Sequence, residues 1–142
     1  LHNALDSLTK KKEHIDSMYI LGHSLGGLIV TDLAENWNLN MRASVHAIAA
    51  PLGGLIHRAN DCETSGKTEY SFNESIRYYQ WKTIHQLDGA FKNLLVNPQD
   101  VKLTGGNQIL LPKEWEKKRL GHNLSIQLVV DQLVRKINLF SN

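Results

Sequence analysis

The chain has 142 residues, of which 42% are hydrophobic and 21% charged, and this is the composition of one ordinary globular domain rather than of a disordered chain. Its formal net charge is +2, with both signs scattered and no long basic block, Lys10-Lys11-Lys12 being followed at once by Glu13, so no nucleic-acid partner is implied. The single cysteine, Cys62, excludes an internal disulfide and a paired-cysteine metal site, no apolar run approaches the ~18 residues that cross a bilayer, and no signal-peptide pattern stands at the start, which opens on Leu1 as a truncated or processed chain would.

In chain order, Leu1, Ala4, Leu5 and Leu8 recur at helical spacing, and a first helix is expected over 1–15. Ser17 to Leu21 is a short apolar run stopped by Gly22, which reads as a buried strand. Leu28, Ile29, Leu33 and Ala34 then give a helix from Gly27 to Trp37. Ser44 to Ala50 is a second strand, closed by Pro51 and Gly53-Gly54. Residues 57–69 are turn-rich and read as a surface loop, and Phe72 to Tyr79 as a helix. Trp81 to Leu87 alternates as a third strand ending at Asp88-Gly89. Phe91, Leu94 and Leu95 suggest a short helical turn, while 100–103 and 108–111 compete as the next strand. Residues 113–120 are charged and expected to be exposed. After Gly121-His122-Asn123, the residues Ile126, Val129, Val130, Leu133, Val134 and Ile137 line one face of a final helix. Alternation of this kind favours an α/β domain, a mostly parallel sheet flanked by helices, with all 142 residues in one domain.

One segment carries chemistry. Gly22-His23-Ser24-Leu25-Gly26 stands where an apolar strand runs into an amphipathic helix. A serine on such a turn has its hydroxyl pushed out at the carboxyl end of a sheet, beside a helix N-terminus whose partial positive charge favours a developing oxyanion. The backbone N–H of Leu25 would be one oxyanion donor. Gly22 and Gly26 are expected to be small because backbone passes close to both, and Gly27 to let the helix pack closely.

This segment, continued by Gly27-Leu28, resembles the nucleophile elbow of α/β-hydrolase lipases and esterases. Ile48-Ala49-Ala50-Pro51-Leu52-Gly53-Gly54 is similar to the strand and Thr-Pro-x-Gly turn that follow it in those enzymes, with Ala50 in place of the threonine. Gly121-His122-Asn123 before a helix is similar to the family's catalytic-histidine segment, so the resemblance covers about residues 15–137.

The resemblance implies a triad in the order serine, acid, histidine. Of the seven histidines, His122 is the best base, placed between the last strand and the last helix, with His85 as the alternative. His23 stands beside the nucleophile and points away from it, and is expected to pack beside the sheet. His46 and His57 read as structural or exposed, and His2 and His14 have no assigned role. Asp88 is the expected acid because it ends a strand and is followed by Gly89, and Asp100 is the runner-up in a turn that favours aspartate. Asp61 and Glu63 come too early, in a polar loop. On this assignment Ser24 attacks an ester carbonyl, His122 takes its proton, Asp88 fixes the imidazole, and water releases the acyl-enzyme, with no metal or other cofactor.

The family's sheet carries further strands ahead of the elbow, together with the loop that gives the second oxyanion N–H. An N-terminal remainder of the fold is therefore expected from the full-length chain, and without it the sheet would expose an apolar edge. The expected substrate is a small-molecule or lipid ester, with transient membrane-surface contact. The short 51–80 segment leaves room for only a small cap and favours an esterase, whereas Gly-His-Ser-Leu-Gly-Gly is common in lipases. An acyltransferase or thioesterase would use the same triad, and a non-catalytic hydrolase-like protein or inactive fragment is the alternative from another class. A glycan on the Asn123-Leu124-Ser125 sequon would crowd His122, and with a single cysteine this leans towards a cytoplasmic protein.

Overall fold

The structure, a computed structural model, describes residues 3–5, 7, 15, 17–55 and 66–139. Most of the helix expected over 1–15, all of 56–65, and with them His2, His14, His57, Asp61, Cys62 and Glu63, lie outside the described residues, although 3–5 and 7 are helical. The side chain of Ile137 also lies outside them.

A parallel sheet organises the rest. Strand β1 (Ser17–His23) leads through the elbow into α1 (Leu25–Glu35), followed by β2 (Arg42–Ile48). After β3 (Glu69–Ser71) comes β4 (Ile76–Lys82), then a 3₁₀ turn over His85–Leu87. Strands β5 (Lys102–Thr104) and β6 (Gly106–Leu110) precede a small exposed hairpin, β7 (Glu114–Trp115) and β8 (Lys118–Arg119). The chain closes with α2 (His122–Leu139). The main sheet has the order β1-β2-β4-β6, with every pairing parallel. Strands β3 and β5 form a separate parallel pair. The protein is thus an α/β fold with a mostly parallel sheet flanked by helices.

Period-2 alternation divides the core between the two faces. Ala43, Val45 and Ala47 of β2 and Ile76 and Tyr78 of β4 are buried against Val30, Leu33 and Ala34 of α1. Ile48 and Trp81 point the other way and pack with Leu128, Val129 and Leu133 of α2.

Three expected elements change. The helix expected over Phe72 to Tyr79 is the approach to β4 and most of that strand: buried Ile76 and Tyr78 alternate with exposed Arg77, and Phe72 stacks on Tyr78 with ring centroids 4.0 Å apart. The strand expected over 81–87 ends at Lys82, because the Leu87 N–H turns back to the Ile84 carbonyl. The competing strands in 100–111 both form, one beside β3 and the other beside β4.

Both helices keep part of the expected face inward, Leu33 and Ala34 in α1 and Val129 and Leu133 in α2, but each is rotated so that other expected positions are exposed. Ile29 is 60% exposed while Val30 and Thr31 are buried, and in α2 Leu128 is buried while Val134 is 49% exposed. The elbow sets the first rotation. A Cβ on Gly27 would lie 2.3 Å from the Ala50 Cβ, so position 27 is pressed onto the end of β2 and its helical neighbours follow. Gly22 is equally confined, since a Cβ there would meet the Gly26 carbonyl oxygen at 2.3 Å. Gly26 itself has nothing within 4 Å of such a Cβ, so its expected crowding is corrected: its carbonyl confines Gly22, and its own side is open. Gly22→Ala should therefore destabilise the fold by about 2 kcal/mol through overpacking against backbone, whereas Gly26→Ala should be neutral or slightly stabilising. Urea unfolding of the two variants checks this, with equal midpoints contradicting it.

Candidate active site

Ser24 occupies the junction of β1 and α1 with φ 55° and ψ −124°. A side chain in the left-handed half of φ space costs on the order of 1–3 kcal/mol, so the surroundings must hold it there. Its N–H donates to the Ile48 carbonyl at 2.9 Å, and its own carbonyl accepts from Gly27 N at 2.9 Å. The elbow is thereby tied to the end of the neighbouring strand and to the first turn of the helix. The Ser24 side chain does not cap α1 and makes no hydrogen bond among the described residues. Leu25 opens the helix, so its N–H has no acceptor within α1.

Asp88 and His122 meet. His122 Nδ1 lies 3.2 Å from Asp88 Oδ2, and the Asp88 carboxyl is wholly buried. Asp88 Oδ2 also accepts from the Thr83 hydroxyl at 2.5 Å, and Oδ1 accepts from Ala90 N at 2.8 Å. Burial alone would push the Asp88 carboxyl up, but the hydrogen bonds from His122, Thr83 and Ala90 outweigh it and hold the group below the ordinary carboxylate range. An ionised carboxylate only accepts, so His122 carries its proton on Nδ1 and leaves Nε2 as a free acceptor. The stability this carboxylate contributes is present above its unfolded pKa and is lost as pH falls through its lower folded one.

Three contacts fix His122. It is the first residue of α2, and its carbonyl accepts from Ser125 Oγ at 2.5 Å. The Phe91 ring meets the imidazole edge-on at 5.0 Å. His23 Nε2 donates to the His122 carbonyl at 2.9 Å, and the two rings lie 4.8 Å apart. His23 is thus not merely packed beside the sheet. It ties the residue next to Ser24 to the residue expected to serve as base. A nucleophile–base hydrogen bond is often long in an unliganded site and closes with substrate.

The alternatives stand elsewhere. Asp100 is exposed and pairs with Lys82 Nζ at 2.5 Å. His85 lies in the 3₁₀ turn, not on a strand, and its Nε2 donates to the Phe91 carbonyl at 2.8 Å. His46 is buried in the sheet, where its Nδ1 accepts from Trp81 Nε1 at 3.1 Å.

Thr83 and Gln99 were not singled out by the sequence. Gln99 is fully buried, and its carboxamide accepts from Thr83 N at 2.9 Å and donates to Thr83 O at 3.1 Å. No motif marks either residue, and their burial depends on where the 97–100 turn docks.

Among the described residues no group of His, Cys, Asp or Glu is arranged to hold a metal ion, and no helix is long and apolar enough to cross a membrane. Comparisons with protein-family models, curated proteins and solved structures found no match to this chain.

Proposed function

We propose that this chain is the nucleophile-bearing part of an α/β-hydrolase-type serine hydrolase that cleaves carboxylic esters of lipids or other acyl compounds. The observation that carries this reading is the buried Asp88–His122 pair, joined to the strained serine elbow through the His23–His122 hydrogen bond. Asp88 holds the imidazole with Nε2 free. His122 then takes the Ser24 proton as Oγ bonds to the ester carbonyl carbon, and the Leu25 N–H faces the oxygen that becomes negative. His122 returns the proton to the departing alcohol, and water repeats the sequence to release the acid.

The second oxyanion donor is assigned to polypeptide beyond the β1 edge. Tyr19 and Leu21 of β1 are 53% and 40% exposed, and Leu25 and Ile29 of α1 are 47% and 60% exposed. Apolar surface flanking a parallel edge strand is what a continuing sheet with its own helices would cover.

The test is a p-nitrophenyl ester series of increasing acyl length, with products analysed in water and with added alcohol. Release of free acid, lost in Ser24→Ala, is the expected result. Acyl transfer to the alcohol as the main product would instead identify a transferase on the same triad. Absence of turnover by the folded protein would contradict an active hydrolase.

A further inference from the structure

We propose that Thr83 is a positioning residue of this site: its hydroxyl fixes the Asp88 oxygen that receives the His122 proton donor. The proposal rests on the hydrolase reading above. Asp88 Oδ2 takes two hydrogen bonds, from Thr83 Oγ1 at 2.5 Å and from His122 Nδ1 at 3.2 Å. The carboxyl is fully buried, and protein donors satisfy it. The Thr83 hydroxyl therefore sets both the rotation of the carboxylate and the electron density left on Oδ2 for the imidazole.

Thr83 is itself held with unusual completeness. It follows the last residue of β4, where the main-chain ladder stops. The Gln99 carboxamide takes over as the adjoining strand would, accepting from Thr83 N and donating to Thr83 O. Gln80 Nε2 donates to the main-chain carbonyl of Gln99 at 2.7 Å, and Gln108 Nε2 donates to Gln80 Oε1 at 2.7 Å. Thr83 Oγ1 also lies 3.2 Å from Gln99 Oε1, but its single proton goes to the nearer, charged oxygen. Buried polar groups stabilise only when each is satisfied, and apolar side chains would fill this space without that demand. A satisfied chain of amides ending on the hydroxyl behind the acid points to orientation of the acid.

The experiment compares Thr83→Val, nearly isosteric but without the hydroxyl, with Thr83→Ser, which keeps it. Two readouts are made on the intact protein: kcat and KM for a short-chain p-nitrophenyl ester, and the titration of the Asp88 carboxyl carbon by NMR. In Thr83→Val, kcat should fall about 10-fold with KM within about twofold, as expected for loss of a charge-assisted hydrogen bond that acts on the chemical step. The Asp88 titration should move to higher pH, because one donor to the carboxylate is gone. Thr83→Ser should restore both. An unchanged kcat in an active enzyme, or an unchanged Asp88 titration, would overturn the proposal. If the wild type neither turns over ester nor reacts at Ser24, the hydrolase reading fails by itself, and the Asp88 titration still decides whether Thr83 governs this carboxylate.

Discussion

Asp88→Asn should lower kcat for ester cleavage about 10⁴-fold while leaving the protein folded, because it forces the wrong tautomer on His122. The wild-type carboxylate accepts from Ala90 N on Oδ1 and from Thr83 and His122 on Oδ2. An amide has only one acceptor oxygen. If that oxygen stays on Ala90 N–H, the amide nitrogen faces His122 Nδ1 and must donate to it. Thr83 accommodates this arrangement by turning its hydroxyl proton towards Gln99 Oε1, 3.2 Å away. Nδ1 then becomes the acceptor, the ring proton moves to Nε2, and His122 can no longer take a proton from Ser24. The opposite flip sets the amide N–H₂ against Ala90 N–H, two donors face to face. Steady-state kinetics measure the rate loss, and ¹⁵N shifts of the imidazole report the tautomer. Wild-type kinetics in Asp88→Asn would remove Asp88 from the mechanism.

A second effect concerns stability. The His46 ring lies between Tyr79, at 4.9 Å, and Tyr19, at 6.2 Å, and both contacts are close to parallel. Its Nδ1 accepts from Trp81 Nε1–H, so Nε2 carries the proton and donates to Ser44 Oγ at 3.0 Å. A second proton would sit on Nδ1 facing the indole N–H. Burial, aided by the Lys136 charge, lowers the His46 pKa from 6.5 to about 4. The unfolded chain therefore takes up a proton near 6.5 that the folded chain refuses until about 4. In that window the unfolded state binds more protons, so stability is full above it and declines as pH falls. Across the whole window the loss is about 3 kcal/mol. Urea unfolding at intervals between neutral pH and the lower end of the window measures it, and His46→Gln should flatten the curve there. A wild-type curve that is already flat would contradict a neutral buried His46. The Asp88 carboxylate acts in the same direction but at lower pH, below the ordinary carboxylate range, so the two contributions separate.

The parallel sheet and the elbow were legible in the sequence because each has a local cause. Ser17 to Leu21 is apolar and Gly22 follows, and the close approach of Gly26 to Gly22 and of Ala50 to Gly27 is a steric demand that leaves glycine as its trace. Asp88 and His122 were legible as a pair, and the structure brings them together. The misread elements failed where tertiary contact decides. Phe72, Ile76 and Tyr79 have helical spacing, yet Phe72 stacks on Tyr78 and the segment adds a strand beside β2. The strand ending at Lys82 gave no local sign of stopping, because a distant glutamine side chain, not a proline or glycine, takes over the Thr83 backbone. The crowding expected at Gly26 followed from its place in the motif, whereas the helix leaves that side open. His23 was expected only to pack beside the sheet, and its hydrogen bond to the His122 carbonyl joins residues 99 apart in sequence, so it leaves no trace in local pattern.

The most direct test of the account is whether Ser24 is an activated nucleophile. The protein is incubated with a fluorophosphonate probe and the modified peptide is identified by mass spectrometry, alongside Ser24→Ala and His122→Ala. The account predicts labelling on Ser24 that is absent in Ser24→Ala and nearly absent in His122→Ala. A folded wild-type protein that stays unlabelled, or labelling of Ser24 that persists undiminished in His122→Ala, would contradict it.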